Sequence, residues 1–328
     1  MGLPTNSPNG TFSILQHSKT ADQKFNFGAT VTNLDLNSIS PTNVNALRTA
    51  LWTHKVLIVK GQSNLTPQNH WSLVTRVDPS AHQVHSHGTT ATFNAKGGVL
   101  TKGRPIIGIP GAENVRLIGK GYQGADHYGI KDLKIAKCLT HLDFHAEAQP
   151  PGAFENGHTR FQRWHIDAPL YARDPAWFTT LRAVKLPSAD ATVTIDWDDG
   201  SGYSMEAQAG LTAFFSTSQL YGMLSEEEQR MADHSWVEYA PHPYMWIGDC
   251  RANSNGLGLR TEGMEKGVDE LGGYDEKDIK RVGICHNAQI HTNFLLSSTP
   301  SSGSTHTPTK KPSKSMGSAP VSCSSAPP

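Results

Sequence analysis

No two cysteines lie close enough in this chain to build a thiolate metal site. The four (Cys138, Cys250, Cys285 and Cys323) are scattered and make no CxxC pair, so a cysteine-rich zinc centre is excluded. Disulfide scaffolding is equally unsupported, and ordinary buried thiols in a reducing compartment fit best. There is no excess of charge of either sign: Lys+Arg and Asp+Glu balance at 29 each. That balance argues against a general nucleic-acid binder and against a membrane-surface protein. No apolar run approaches the length of a membrane-spanning helix. The first 30 residues are polar, so no signal peptide is expected, and a soluble cytoplasmic protein is the reading. There is no internal repeat.

What is present begins at Ser40. SPTNVNALRTALWTH puts Val44, Leu47, Leu51 and Trp52 on one helical face, with Pro41 at the first helical position. VLIVKG then reads as a short buried strand, and LTPQNHWSLVTRVDP as a second helix capped by Thr66. PIIGI, VRLIG, FTTLRAVKLP, ATVTIDW and YSMEAQ read as strands, and LTAFFST continues the β pattern. SEEEQRMADH carries a capping box, Ser225 to Glu228. Strands and helices do not alternate regularly, which favours α+β with a largely antiparallel sheet. Residues 1–22 read as a disordered N-terminus and 23–281 as one folded domain. Residues 297–328 are different: 21 of the 32 are Ser, Thr or Pro. Such a segment has little apolar surface to bury and is expected to be disordered.

Several stretches could carry chemistry. GKGYQG at Gly119–Gly124 matches the dinucleotide fingerprint, but Gly129 breaks the helix that must follow. A NAD-dependent oxidoreductase is therefore a remote alternative. DWDDGSGY fails the EF-hand order and reads as a turn between strands. Of the His-x-acid pairs, roughly one is expected by chance and three occur: His141/Asp143, His145/Glu147 and His165/Asp167. His141 and His145 could share a helical face, but Leu142 stands where a metalloprotease needs its general base. A loop or strand with partly exposed histidines is the expectation there. His165 and Asp167, in WHIDAPLY, fall at strand spacing and point to the same side, as two donors of a two-His-one-carboxylate ferrous site would. A surface strand with a polar edge explains the octapeptide equally well.

WHIDAPLYARDP with TTLRAVKLPSADATV resembles the core of the Fe(II)/2-oxoglutarate dioxygenases of the taurine dioxygenase type. VLIVKGQ and LTPQNHWSLVTR are similar to that superfamily's opening. TRFQRWHIDAPLY, DDGSG, TAFFS, LSEEEQ, VEYAPHPYMW and GLGLRTEG resemble the fungal 2-oxoglutarate-dependent xanthine dioxygenases, from Ala46 to Leu271. The resemblance implies a double-stranded β-helix (jelly roll) with flanking helices. It implies that His165 and Asp167 hold Fe(II), and that Thr192, 27 residues after His165 and behind Leu186–Ser188, contacts 2-oxoglutarate. O2 would be the oxidant and xanthine the small-molecule substrate, leaving as uric acid; a taurine- or sulfonate-type dioxygenase and a non-catalytic relative are the alternatives.

Two departures bear on substrate. The family's Lys before FHA is Leu142 here, and its acidic pair before TRF is Phe154 and Glu155. Glu155 is thus the acidic residue left to contact a purine N–H. The resemblance also implies a distal His ligand and a following Arg for the cosubstrate. It stops near Lys280, and RVGICHNAQIHTNF plus the Ser/Thr/Pro tail shows neither the strand pattern nor that order. The expectation is an aberrant segment over 282–328, a jelly roll incomplete at its C-terminus, and a third ligand and Arg absent unless His286, His291 or His306 substitutes. Little turnover is expected of such a chain.

Overall fold

Ser40 and Thr66 set the start of the two long helices. In the computed structural model the helix α1 spans Pro41–His54, and the Ser40 hydroxyl accepts from the Asn43 amide at 3.2 Å. Helix α2 spans Pro67–Val77, with Thr66 accepting from the Asn69 amide at 3.2 Å. Both carry proline in the first turn, where no amide donor is lost. The structure describes residues 5–6, 12–82, 106–135, 144–165, 177–283 and 292–296, apart from 20, 22, 23, 120, 162, 163, 240, 241, 247 and 280; between 83 and 105 it describes 89, 91, 94 and 95.

The two helices pack on a six-stranded sheet. Its order is β1 (Thr5–Asn6), β2 (Ser13–Gln16), β3 (Ala29–Thr32), β4 (Val56–Val59), β19 (Thr292–Leu296) and β12 (Phe178–Arg182). β1, β2 and β3 pair antiparallel; β3–β4, β4–β19 and β19–β12 pair parallel. The main sheet is therefore mixed, not largely antiparallel. Parallel pairing needs a crossover, and α1 supplies it between β3 and β4. β19 also corrects the expectation that nothing past Val282 is strand: TNFLL pairs on both sides, and Arg281–Gly283 is a strand as well. An apolar run with a threonine is enough for pairing when two parallel edges wait for it.

The buried cluster lies almost wholly in the first 81 residues: Phe12, Val31, Leu47, Leu51, Leu57, Val59, Leu65 and Leu73 among others, joined by Phe178. Val44, Leu47 and Leu51 face it as expected, with Ala50. Trp52 does not. It is half exposed and stacks on Trp177 at 4.9 Å, with the Lys55 ammonium over its ring. One residue past Leu51 turns 100° around the helix, far enough to leave the core for the rim.

The rest of the described chain is small sheets. β5 (Ile107–Ile109) and β6 (Ala112–Leu117) form a hairpin. β7 (Gly121–Tyr122) pairs with β10 (Lys134–Ile135) around the nested pair β8 (Asp126–His127) and β9 (Ile130–Lys131). GKGYQG thus enters a hairpin, with Gly121 and Gly124 at positive φ and, among the described residues, strands β8 and β9 following them where a helix would be needed. β11 (His158–Thr159), β13 (Thr192–Asp196) and β14 (Ser204–Gln208) form a three-stranded sheet. LTAFFS, read as strand, is irregular, and the chain then enters α3 (Thr217–Tyr221) and α4 (Glu226–Asp233). The Ser225–Glu228 capping box at α4 is present in both directions. β15 (Trp236–Glu238) pairs with β18 (Arg281–Gly283), and β16 (Arg251–Ala252) with β17 (Leu259–Arg260). The class is mixed helix and sheet. No described helix is long and apolar enough to cross a membrane.

Candidate functional site

The backbone just before His165 is pinned. The Trp164 amide donates to the Gly256 carbonyl at 3.0 Å. The Trp164 indole packs on Phe161 at 4.9 Å and edge-on to Phe215 at 5.0 Å, and Phe161 meets Trp197 edge-on at 5.2 Å. Gly256 is glycine for two reasons. Its φ is +76°, and a Cβ there would come within 3.1 Å of Phe161 and 3.2 Å of the indole. His165 itself is exposed, at the end of this aromatic anchor. Asp167 lies outside the described residues. Sequence reading passed over the anchor, although its signal was there: Phe161, Trp164, Trp197, Tyr203 and Phe215 are five aromatics within 55 positions.

A polar network holds the same strand from the other side. Arg160 is buried and brings Nε and Nη2 to the Asp198 carboxylate at 2.8 Å, while Nη1 donates to the Glu147 carbonyl at 2.5 Å. His158 Nδ1 lies 2.8 Å from Asp196. Asn255 donates to Asp199 at 2.9 Å; with Ser201 as the stronger contributor, this holds the Asp199 carboxyl below its ordinary range. DWDDGSGY is therefore the β13–β14 turn, its carboxylates committed to protein partners. His145 is not partly exposed, as its surroundings in sequence suggested. It is 5 % exposed, its Nε2 donates to the Phe161 carbonyl at 2.6 Å, and it bridges to Ala252. Its ring is part of the scaffold on which WHIDAPLY sits.

Thr192 opens β13 opposite Gln208 and is exposed. β11 runs parallel to β13, with His158 opposite Thr194 and Thr159 opposite Ile195. The strand leading to His165 and the strand beginning with Thr192 are thus neighbours in one sheet. Glu155 is exposed on the turn that leads into β11. His141, Leu142, Asp143, His286, His291 and His306 lie outside the described residues. His165 is exposed at the end of a pinned backbone, and an imidazole is a donor type that suits iron. Among the described residues, however, no group of three or more His, Cys, Asp or Glu could hold a metal.

Curated relatives decide the family. The α-ketoglutarate-dependent xanthine dioxygenase xanA of Emericella nidulans is 39% identical over 261 residues, 79% of this chain and 68% of its own. The chain belongs to the α-ketoglutarate-dependent dioxygenases. This dioxygenase is also 40% identical over 267 residues to the α-ketoglutarate-dependent dioxygenase bsc9 of Alternaria brassicicola, covering 81% of this chain and 66% of the relative. It is 40% identical over 242 residues to the α-ketoglutarate-dependent dioxygenase fc-dox of Phomopsis amygdali, covering 73% and 60%. The chain thus spans about two thirds of the length of the relatives it matches. No family model and no solved structure matches it.

Proposed function

We propose that this dioxygenase uses Fe(II), 2-oxoglutarate and O2 to convert xanthine to uric acid. The observation that carries the reading is its 39% identity over 261 residues to a protein named as a xanthine dioxygenase. The proposed fold around the site is a double-stranded β-helix to which β11, β13 and β14 belong. A reducing cytoplasm is the proposed compartment, consistent with the free buried thiol of Cys250, which burial pushes above its ordinary pKa.

Each side chain then has a task. The His165 imidazole and the Asp167 carboxylate hold the metal, and the aromatic anchor at Trp164 limits how far the imidazole wanders. The Thr192 hydroxyl donates to the far carboxylate of 2-oxoglutarate. Glu155 accepts from a purine N–H. With iron bound, the cosubstrate loses CO2 to become succinate; one atom of O2 enters succinate and the other enters the purine. The protein orients the two organic molecules and excludes water.

Anaerobic addition of Fe(II) and 2-oxoglutarate should give a weak visible charge-transfer band. Under air, the succinate release, low with two protein ligands on the metal, should be stimulated by xanthine and not by taurine. Absence of the band, or stimulation by taurine alone, overturns the reading.

A further inference from the structure

The loop between β16 and β17, NSNGLG over residues 253–258, is closed on itself by four hydrogen bonds. The Asn253 amide donates to the Gly258 carbonyl at 3.3 Å, and the Gly256 amide to the Asn253 carbonyl at 2.8 Å. The Asn253 carboxamide donates to the Leu257 carbonyl at 2.8 Å, and the Asn255 carboxamide oxygen accepts from the Leu257 amide at 2.9 Å. Gly256 and Gly258 stand at φ +76° and +71°, where a side chain would be strained. A short loop with this much internal bonding is stiff.

Its outward ties run to three segments. At the base of the hairpin, the Ala146 amide donates to the Ala252 carbonyl at 2.9 Å, and Arg260 Nη2 meets the Glu147 carboxylate at 2.7 Å. At the tip, the Asn255 carboxamide donates to Asp199 in the β13–β14 turn at 2.9 Å. Beside it, the carbonyl of buried Gly256 takes the Trp164 amide at 3.0 Å. His165 is the next residue along the chain. A loop that is stiff in itself and fixed at base and tip passes its position on to whatever it holds.

We propose that Asn255 and Gly256 are positioning residues for the metal donor, a role that rests on the reading of His165 as an iron ligand. Neither is a ligand itself; together they fix the point from which the His165 side chain projects. Gly256 acts through its carbonyl and through the Cβ it lacks, which would stand 3.1 Å from Phe161 and 3.2 Å from the Trp164 indole. Asn255 acts by holding the tip against the β13–β14 turn. Groups standing behind a metal ligand orient it, and their loss costs about tenfold to a hundredfold in metal affinity.

The test uses the full chain. Gly256→Ala crowds the aromatic anchor. Asn255→Asp keeps the oxygen that Leu257 uses but sets a carboxylate against Asp199, and it carries the test if Gly256→Ala does not fold. Ser225→Ala, at the exposed cap of α4, is the control for lost stability. Anaerobic Fe(II) titration, followed by tryptophan emission, should give a Kd raised about tenfold in Gly256→Ala and by a smaller factor in Asn255→Asp. Ser225→Ala should titrate as wild type. At saturating Co(II), a visible probe of donor geometry, the absorption bands should move in the folded tip variants and stay in Ser225→Ala. Weakened Fe(II) binding with unmoved Co(II) bands would mean general loosening and overturns the proposal. His165→Ala separates the two readings. If it weakens Fe(II) while the tip variants bind as wild type does, the proposal alone falls; if it leaves Fe(II) affinity unchanged, the ligand reading of His165 falls and the proposal with it.

Discussion

His145 and His165 differ by burial, and that difference separates scaffold from site. His145 is sealed in and spends its Nε2 proton on the Phe161 carbonyl. His165 stands exposed beyond the Trp164 anchor. His165→Ala should therefore lower Fe(II) affinity, read by titration with the charge-transfer band, and leave the unfolding midpoint near wild type. His145→Ala should do the reverse, costing about 1–3 kcal/mol in denaturant unfolding as the Phe161 carbonyl loses its donor. Equal loss of Fe(II) affinity in both would show that the wrong histidine has been chosen. Thr192→Ala should weaken 2-oxoglutarate binding by on the order of 1–2 kcal/mol, the worth of a hydrogen bond to a charged group, with Fe(II) affinity unmoved. An unaltered 2-oxoglutarate titration would remove Thr192 from the site. At this scale the sequence showed the HxD pair but not its support. Gly256 and Phe215 are 91 and 50 positions from His165, and nothing local in either segment points to a tryptophan that far away.

Elements with strong end signals were legible. Ser40, Thr66 and Ser225 each begin a helix where the capping pattern puts them. Removing one should be measurable: Ser225→Ala removes the hydroxyl arm of the box at α4, leaves the backbone amide of residue 225 on the Glu228 carboxylate, and should cost about 1 kcal/mol by chemical denaturation. Since α4 is exposed, 2-oxoglutarate affinity should not follow. Substrate turnover falling in step with stability would contradict this separation. Elements without end signals were not legible. β11 and β16 have two residues each and exist only because β13 and β17 lie beside them. LTAFFS alternates well enough for a strand but runs irregularly, with Phe215 turned onto Trp164 instead of pairing. TNFLL was passed over for the opposite reason: its partners, β4 and β12, are remote in sequence.

For the molecule as a whole, one buried base links stability to pH. His70 is 7 % exposed, and its Nε2 lies 2.8 Å from the Thr180 hydroxyl, joining α2 to β12. Burial, with the Arg182 guanidinium adding, pushes its pKa down to about 4 from an ordinary 6.5. The folded state thus releases a proton that the unfolded chain binds. Stability from this group is complete above pH 6.5 and is lost progressively as pH falls toward 4, by on the order of 3 kcal/mol in total. Urea unfolding between pH 7.5 and 4.5 should show that slope, and His70→Gln should flatten it. An equal slope in the variant would place the dependence on other groups.

The order of the six strands has a consequence for how the chain acquires its shape during synthesis. β4 leaves the ribosome early, yet its parallel neighbour β19 pairs Asn293 with Val56, more than two hundred positions later. Residues 12–81, which hold most of the core, can collapse while the edge of β4 still has an unpaired row of amides and carbonyls. Such an edge is a template for the wrong strand, from the same chain or a neighbour. Slow translation past residue 82 should therefore lengthen the time in which nascent chains self-associate, and pulse-labelled amide exchange should find α1 and α2 protected well before the β4 amides that face β19. Proper closure of this sheet is a race between late delivery and early exposure, and holding chaperones would be expected to engage the nascent chain in that interval.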